Sequence, residues 1–424
     1  MRTNRRTASV QTLCLVPLML AACAVPLAAQ SSGGSTYSIF NIGDLQTGTT
    51  ASAAGRAGVE TAVPSNTIIN SLNPAGWQDL HVVTLQAGMN FEQYRVSDGN
   101  TSIYQNNSKL QNFAACFPWS ESLGGTVAFA VHPYSTVTYR TMVQAPVNTG
   151  DSNTTMESTY GGHGGISEAL VGSSIRPFPW LALGATADLY FGSITSTTNV
   201  SFSDPNLNTA NYQTTQRYVG FGGRFGVQAK PFEELRLGAV YETGGRLNRQ
   251  SVVSTTVQDN GNQFYDTLSS TEQDVNLPAR ITFGAALVTG RFLLSSDVSM
   301  QSWNRTEFPN ARNTARYAVG VDRLASTSLN ASGFDRWAFR MGAYYDQTYY
   351  RPGTADGIDQ MGVTLGLRCP LSTMSATNNS NTAMDVALEF GQRGKTVGGL
   401  TKETYGKLSL QLSVSELWFV RSRR

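Results

Sequence analysis

The strongest constraint on this chain is an alternation of apolar and polar residues that recurs in run after run and keeps charge on one parity. From Trp180 onward, Leu181, Leu183, Ala185, Ala187, Leu189 and Phe191 share one face of an extended strand, while Gly184, Thr186, Asp188 and Tyr190 share the other. The run from Phe292 sets Leu294, Val298 and Met300 against Ser295, Asp297 and Gln301. Trp337, Phe339, Met341, Ala343 and Tyr345 alternate with Arg336, Arg340 and Asp346, and Leu408, Leu410, Leu412 and Val414 with Ser409, Gln411, Ser413 and Ser415. Arg224, Arg236, Glu242, Arg280, Asp297, Arg316, Asp322, Arg336, Arg340, Arg368, Asp385 and Glu389 all fall at the polar parity. An Arg or Lys facing lipid at mid-membrane costs roughly 2–4 kcal/mol, so such a parity belongs to a wall with lipid on one side and a polar lumen on the other. Leu183, Leu189, Leu294, Val298, Phe339 and Leu410 are then expected to point outward. The six arginines Arg224, Arg236, Arg280, Arg336, Arg340 and Arg368 are expected to point inward.

Composition agrees. Only 14% of the 424 residues are charged, with 41 glycines and 10% aromatics, yet mean hydropathy is below zero. Ordinary globular proteins carry roughly 25% charged residues. A helical membrane protein would show apolar runs of about 20 residues, and none follows the N-terminus. A formal net charge of +2 gives no basic field for nucleic acid. The fold class expected is all-β: a transmembrane antiparallel barrel of about 14 strands. These begin near residues 81, 108, 123, 155, 180, 212, 234, 268, 291, 311, 335, 357, 382 and 404. Tight turns at Pro177-Phe178-Pro179, Pro231-Phe232-Glu233 and Thr289-Gly290 alternate with longer polar stretches such as Asn148–Thr155 and Asp259–Asp266, which puts both termini on the periplasmic side. The connections Ala325–Phe334 and Leu371–Asn381 are long for the short-turn side.

Residues 1–30 read as a signal peptide, with Arg2, Arg5 and Arg6 ahead of an apolar stretch from Leu13 to Leu20 and small residues at Ala21, Ala22, Ala28 and Ala29. Leu20-Ala21-Ala22-Cys23 also reads as a lipobox. The mature chain keeps Cys116 and Cys369, too few for a disulfide scaffold and at opposite parities. Residues 31–80 are rich in Gly, Ser, Ala and Asn without strand periodicity and are expected to fold as an N-terminal hatch inside the lumen, leaving 81–424 as the barrel. Asn73-Pro74 favours a turn. Pro133 lies inside a strand pattern and cannot donate to a ladder, which implies a bulge or local break; a plain structural bulge satisfies that observation as well as a functional opening does.

Chemistry-bearing signals are few. His81, His132 and His163 show no metal spacing, and each reads as a structural or surface residue. Gly161-Gly162-His163-Gly164-Gly165 lacks the Lys-Ser/Thr of a phosphate loop and reads as a thinned strand. No catalytic residue, metal or cofactor is expected, and luminal charges read first as a cross-braced ladder.

Ala54-Gly55-Arg56-Ala57-Gly58-Val59, followed by Asn70-Ser71-Leu72-Asn73-Pro74-Ala75-Gly76-Trp77, resembles the hatch of the FadL/TodX (OmpP1)-type outer-membrane transporters, with Arg56 standing where that family has a small residue. His132-Pro133-Tyr134-Ser135-Thr136-Val137-Thr138-Tyr139 is similar to the family's third strand. The ending Glu416-Leu417-Trp418-Phe419 is similar to relatives from the Bacteroidetes and allied phyla. The resemblance implies a monomeric outer-membrane channel that takes up hydrophobic small molecules, long-chain fatty acids or hydrocarbons. It also implies hatch residues Asn73, Pro74 and Ala75 and lateral release into the bilayer at a kink of strand three, at His132 and Pro133, with the wall opening beside the Asn73-Pro74-Ala75 turn. The alternative carried beside it is a non-transport barrel acting as a partner or structural component of a protein-secretion system; a general diffusion porin fits less well with a plugged lumen.

Overall fold

The structure, a computed structural model, describes residues 33–148, 153–204, 206–259, 262–326, 328, 331, 333–353, 357–372, 380–396 and 400–416. The signal-peptide reading of residues 1–30, Cys23 included, and residues 417–419 of the C-terminal resemblance lie outside the described residues.

Strands form where the alternation predicts them. They are β1 Val83–Ser97, β2 Ser102–Ser120, β3 Gly125–Asn148, β4 Asn153–Phe178, β5 Leu181–Phe202, β6 Thr209–Ala229 and β7 Leu235–Asp259. Then follow β8 in two pieces, Asn262–Leu277 and Arg280–Thr289, β9 Phe292–Gln301, β10 Thr314–Arg323, β11 Ala338–Gln347, β12 Asp359–Ser372, β13 Ser380–Arg393 and β14 Lys402–Glu416. Neighbours pair antiparallel around the whole ring, and β14 pairs with β1 to close a barrel of 14 strands. Closure removes the edges that hydrocarbon would leave unsatisfied. No described helix is long and apolar enough to cross a membrane.

β8 is interrupted because Pro278 has no N–H to give the ladder. Its lower piece pairs with both β7 and β9, whereas its upper piece pairs with β7 alone. Wall height changes at this break. β9, β10 and β11 have 10 residues each, about what a tilted strand needs to cross a bilayer. β3, β4 and β7 have 24, 26 and 25 and continue about as far again above it. The stretch Asp259–Asp266, expected as a polar loop, is therefore largely strand.

Outward faces carry the apolar belt: Leu183, Leu294 and Phe339 are exposed, and Leu189, Val298 and Leu410 half-exposed. On β5 the outward residues are apolar through Phe191 and then become Ser193, Thr195 and Thr197. Arg336 departs from expectation. It is exposed in a 3-10 turn, Gly333–Arg336, and donates to Ala331 O at 2.7 Å. β11 starts only at Ala338, after the turn that holds Arg336.

Residues 33–80 fill the lumen. A two-residue strand, Asp44–Leu45, pairs with β3. The single turn α1, Ala51–Ala54, is capped by Thr50, whose hydroxyl accepts from Ala53 N at 3.0 Å. Asn73 caps the 3-10 turn Pro74–Asp79, accepting from Ala75 N at 3.0 Å. Lumen-face glycines let this chain lie against the wall. A Cβ on Gly366 would stand 2.8 Å from Gly55 Cα, one on Gly342 2.6 Å from the Arg56 carbonyl carbon, and one on Gly320 2.8 Å from Arg56 Cβ. Gly366→Val should accordingly lower stability by about 1–3 kcal/mol through overpacking, read as a lower urea midpoint. An unchanged midpoint would show that the hatch does not sit against β12.

Candidate functional site

Among the described residues the wall parts between β2 and β3 in the upper half of the barrel. β2 pairs with β3 only from Phe113↔Val131 downward to Ser120↔Gly125. Above Val131 the two strands part, and Pro133 sits just there. Its ring removes a donor, and the register against β4 shifts between Pro133 and Ser135. The shift reverses parity, as a one-residue bulge must. Val127 and Phe129 face out at about 40% exposure, whereas Val137 and Tyr139 are 2% and 7% exposed and face in.

The hatch fills the parted edge with backbone. Asp44 and Leu45 stand opposite Thr136 and Ser135 of β3. Gln46 N donates to Tyr134 O at 2.9 Å and Gly34 N to Thr138 O at 2.8 Å, while Thr138 N donates to Ser38 Oγ at 3.0 Å. From β2, side chains reach across: Gln105 Nε2 donates to Arg140 O at 3.1 Å, Gln111 Nε2 to Gly48 O at 3.1 Å, and Lys109, paired to Glu92 at 2.8 Å, to Thr136 Oγ1 at 3.4 Å. Asp44 is held in turn by Arg393 at 2.7 Å and by the Tyr350 hydroxyl. Arg393 also pairs with Glu403 at 2.7 Å and lies over the rings of Tyr37 and Tyr350, 5.4 and 5.8 Å from their centroids.

An aromatic column leads to this seam. Trp303 stacks on Tyr349 at 4.6 Å, Tyr349 meets Tyr350 at 4.6 Å, and Tyr350 faces Tyr37 at 6.1 Å. Ile42, Val137, Tyr134 and Tyr190 belong to the same buried cluster. It runs from the loop around Trp303 and Phe308, on the side of the long hairpins, to the bulge. Beside it a polar cavity of about 100 Å³ is lined by Asn90, Glu92, Arg316, Glu389, Arg393 and Lys407, among others.

The Asn73-Pro74-Ala75 turn is not beside the opening, which corrects the expectation. Asn73 Nδ2 donates to Thr61 O at 2.7 Å and to Val227 O of β6 at 3.2 Å. Pro74 and Ala75 back onto Gly184 of β5, on the short-turn half of another sector. The local sequence marks that turn, whereas the pairing of Asp44–Leu45 with β3 is long-range and has no local signal. His132 faces inward beneath the bulge, 3.5 Å from Glu168. His163 is exposed on β4.

The other expected arginines face inward: Arg224, Arg236 and Arg368 fasten hatch to wall, while Arg280 and Arg340 brace wall strands to one another. Arg224 pairs with Glu168 at 2.8 Å and donates to Ser71 O, Arg236 pairs with Asp79, and Arg280 pairs with Glu242 at 3.6 Å. A ladder of alternating charge runs from hatch residue Arg56 to Asp322 (2.5 Å), Arg340 (3.3 Å), Asp385 (2.7 Å) and Arg368, which returns to hatch Thr67 at 3.1 Å. Arg56, the residue out of keeping with the family pattern, begins it. Breaking a buried pair on one side costs about 3–5 kcal/mol, so Asp385→Ala should lower the urea midpoint far more than Asp98→Ala on an exposed hairpin. Equal effects would contradict the ladder's role.

Hatch residue Glu60, held by Thr50 at 2.7 Å, lines a second small cavity with Asp297, Arg280 and Arg316. Burial pushes its carboxyl up to about 7, against the Thr50 hydrogen bond and the Arg56 charge. A raised carboxyl binds its proton more tightly in the folded state, so stability falls as pH rises from about 4.5 toward 7 and then levels. The urea midpoint should be higher at pH 5 than at pH 8, and Glu60→Gln should remove most of that difference. A difference left intact in the variant would assign it to another group. Among the described residues no group of His, Cys, Asp and Glu could hold a metal ion.

The fold has solved counterparts. A FadL homologue of Pseudomonas aeruginosa matches at 13% identity with a TM-score of 0.62, covering 88% of this chain and 99% of that one. The Pseudomonas putida toluene transporter TodX matches at 14% identity, TM-score 0.55, with coverage of 88% and 99%. The Ralstonia pickettii toluene transporter TbuX matches at 13%, TM-score 0.54, with coverage of 87% and 98%. At such identities the likeness speaks for the fold, a FadL-type barrel. No curated protein sequence matches the chain. The sequence profile of one family, BamG, matches residues 10–424. The chain belongs to the BamG family.

Proposed function

We propose that this barrel is a monomeric channel of a Gram-negative-type outer membrane that takes up hydrophobic small molecules and releases them sideways into the bilayer. The observation that carries the reading is the aromatic column that ends at a seam closed by the hatch rather than by strand pairing. A ligand that displaces Tyr37 and Tyr350 and frees Asp44–Leu45 passes between β2 and β3 into lipid, where apolar surface gains roughly 25 cal/mol per Å² over water. Extrusion into the periplasm forfeits that gain. The structural neighbours that transport toluene make a monoaromatic hydrocarbon the first ligand to try, with a long-chain fatty acid beside it. Kinship with the Bacteroidetes branch, export by the N-terminal segment and a role without catalysis belong to the same proposal.

One observation favours the second reading, a partner or structural component of a secretion system: the column is filled by its own side chains, and the cavity beside it is polar. Uptake decides. Cells expressing the protein should accumulate labelled toluene or oleate faster than cells without it. Leu45→Cys with Ser135→Cys, registered partners across the seam, should cut that rate at least tenfold when oxidised and recover it on reduction. A locked barrel that transports at the wild-type rate would remove the lateral route. Wild type that moves neither ligand would leave the secretion-system reading.

A further inference from the structure

Cations in the lumen are paired, and on the outer face Arg246 is paired with Asp274, but one outer sector holds cations without carboxylate partners among the described residues. Arg224, Arg280, Arg316, Arg340, Arg368 and Lys407, all directed inward, each have a carboxylate within 4 Å. Arg95 of β1, Arg140 of β3 and Lys402 of β14 are exposed and have no ion-pair partner among the described residues. They occupy one sector at one level. Arg95 stands opposite Tyr104 of β2 and opposite Thr404 of β14, two residues from Lys402. Gln105, next to Tyr104, donates to Arg140 O at 3.1 Å, so β2 and β3 remain adjacent there although their backbones do not pair. Tyr104, 65% exposed, lies among the cations.

Acids are turned away from this sector. Glu92 and Glu403 face the lumen and are paired there. Asp98 in the β1–β2 hairpin accepts from Asn100 N and Thr101 N at 2.8 and 2.7 Å. Glu157 lies four residues beyond Gly161, the partner of Arg140, and accepts from Gln144 Nε2 at 3.0 Å.

The level is set by the belt. The last apolar outward residue of β1 is Phe91, and Arg95 follows four residues later. That is about 10 Å along the membrane normal for a strand tilted by roughly 40°. Long cationic side chains bend back from that height to the hydrocarbon edge, where headgroup phosphates lie, and a tyrosine at the same height suits the interface. Three unpaired cations over four neighbouring strands are poorly accounted for by solubility alone, since the same strands have no compensating acid on their outer face at this level.

We propose that Arg95, Arg140 and Lys402, with Tyr104 between them, form an outward-facing site for the phosphorylated sugar headgroup of an outer-leaflet glycolipid, beside the β2–β3 seam. The inference rests on the outer-membrane placement in the proposed function, with the long hairpins outside, but not on transport. A glycolipid bound there would stand next to the sector through which a ligand leaves, so the lipid at the exit would be fixed rather than random.

The test uses the full-length barrel purified in detergent, with bisphosphorylated lipid A as probe and dephosphorylated lipid A as control, read by native mass spectrometry and by titration. Wild type should bind the bisphosphorylated form at least tenfold more tightly than the control, and the preference should fall as salt rises. R95Q/R140Q/K402Q should lose the preference while keeping the wild-type urea midpoint. Retention of full binding by that variant, equal binding of the dephosphorylated control, or equally tight binding of inorganic pyrophosphate would each overturn the site. Wild type found outside the outer-membrane fraction of cells would instead overturn the placement on which the site rests, a result independent of the detergent titration.

Discussion

Everything in this molecule depends on the cost of an unpaired backbone group out of reach of water. In hydrocarbon each such group costs several kcal/mol, which is why the sheet closes, β14 onto β1. At Pro133 the chain gives up that pairing, and the N–H and C=O groups of Tyr134 to Thr138 need new partners. They find them in the hatch, through Gly34, Ser38 and the strand Asp44–Leu45. The hatch is thus both a plug in the lumen and part of the wall.

Two halves of the hatch are held by different forces. Residues 50–80 lie in a bed of glycine faces and are tied by buried charges, from Arg56–Asp322 through Arg368–Thr67 and by Arg224 at Ser71. Removing one member of such a network costs about 3–5 kcal/mol. Residues 34–46 meet β3 through a handful of hydrogen bonds, each worth a net 0.5–1.5 kcal/mol, plus the buried Arg393–Asp44 pair. In the proposed function the seam opens because local hatch contacts stand there in place of a continuous ladder.

The barrel was legible because its signal is local. Period-2 alternation in β5, β9, β11 and β14 can be read within a dozen residues, and the lipid penalty fixes which parity faces in. Arg224, Arg280, Arg340 and Arg368 follow from that rule. Arg336 escaped it because parity was extended through a turn. Pro133 marked the break, but the sequence pattern ran Val131 and Val137 together on one face; only a bulge, invisible in spacing, separates them. Asp44, Arg393, Glu403 and Tyr350 had no local signature, since Asp44 and Arg393 are 349 residues apart. Arg56 did carry a hint: a large charge amid Gly and Ala needs a buried partner, though nothing in spacing named Asp322.

The central claim is that hatch backbone completes the wall at the seam until a hydrophobic ligand displaces it. Amide hydrogen exchange on the barrel in detergent or nanodiscs measures this directly, at Gly34, Gln46 and Thr138, with Phe129 in the paired wall as reference. The account predicts strong protection at all four amides without ligand, and selective loss at Gly34, Gln46 and Thr138 when toluene or oleate is added. Fast exchange at Gln46 and Thr138 in the ligand-free protein, or protection unchanged at saturating ligand, would contradict it.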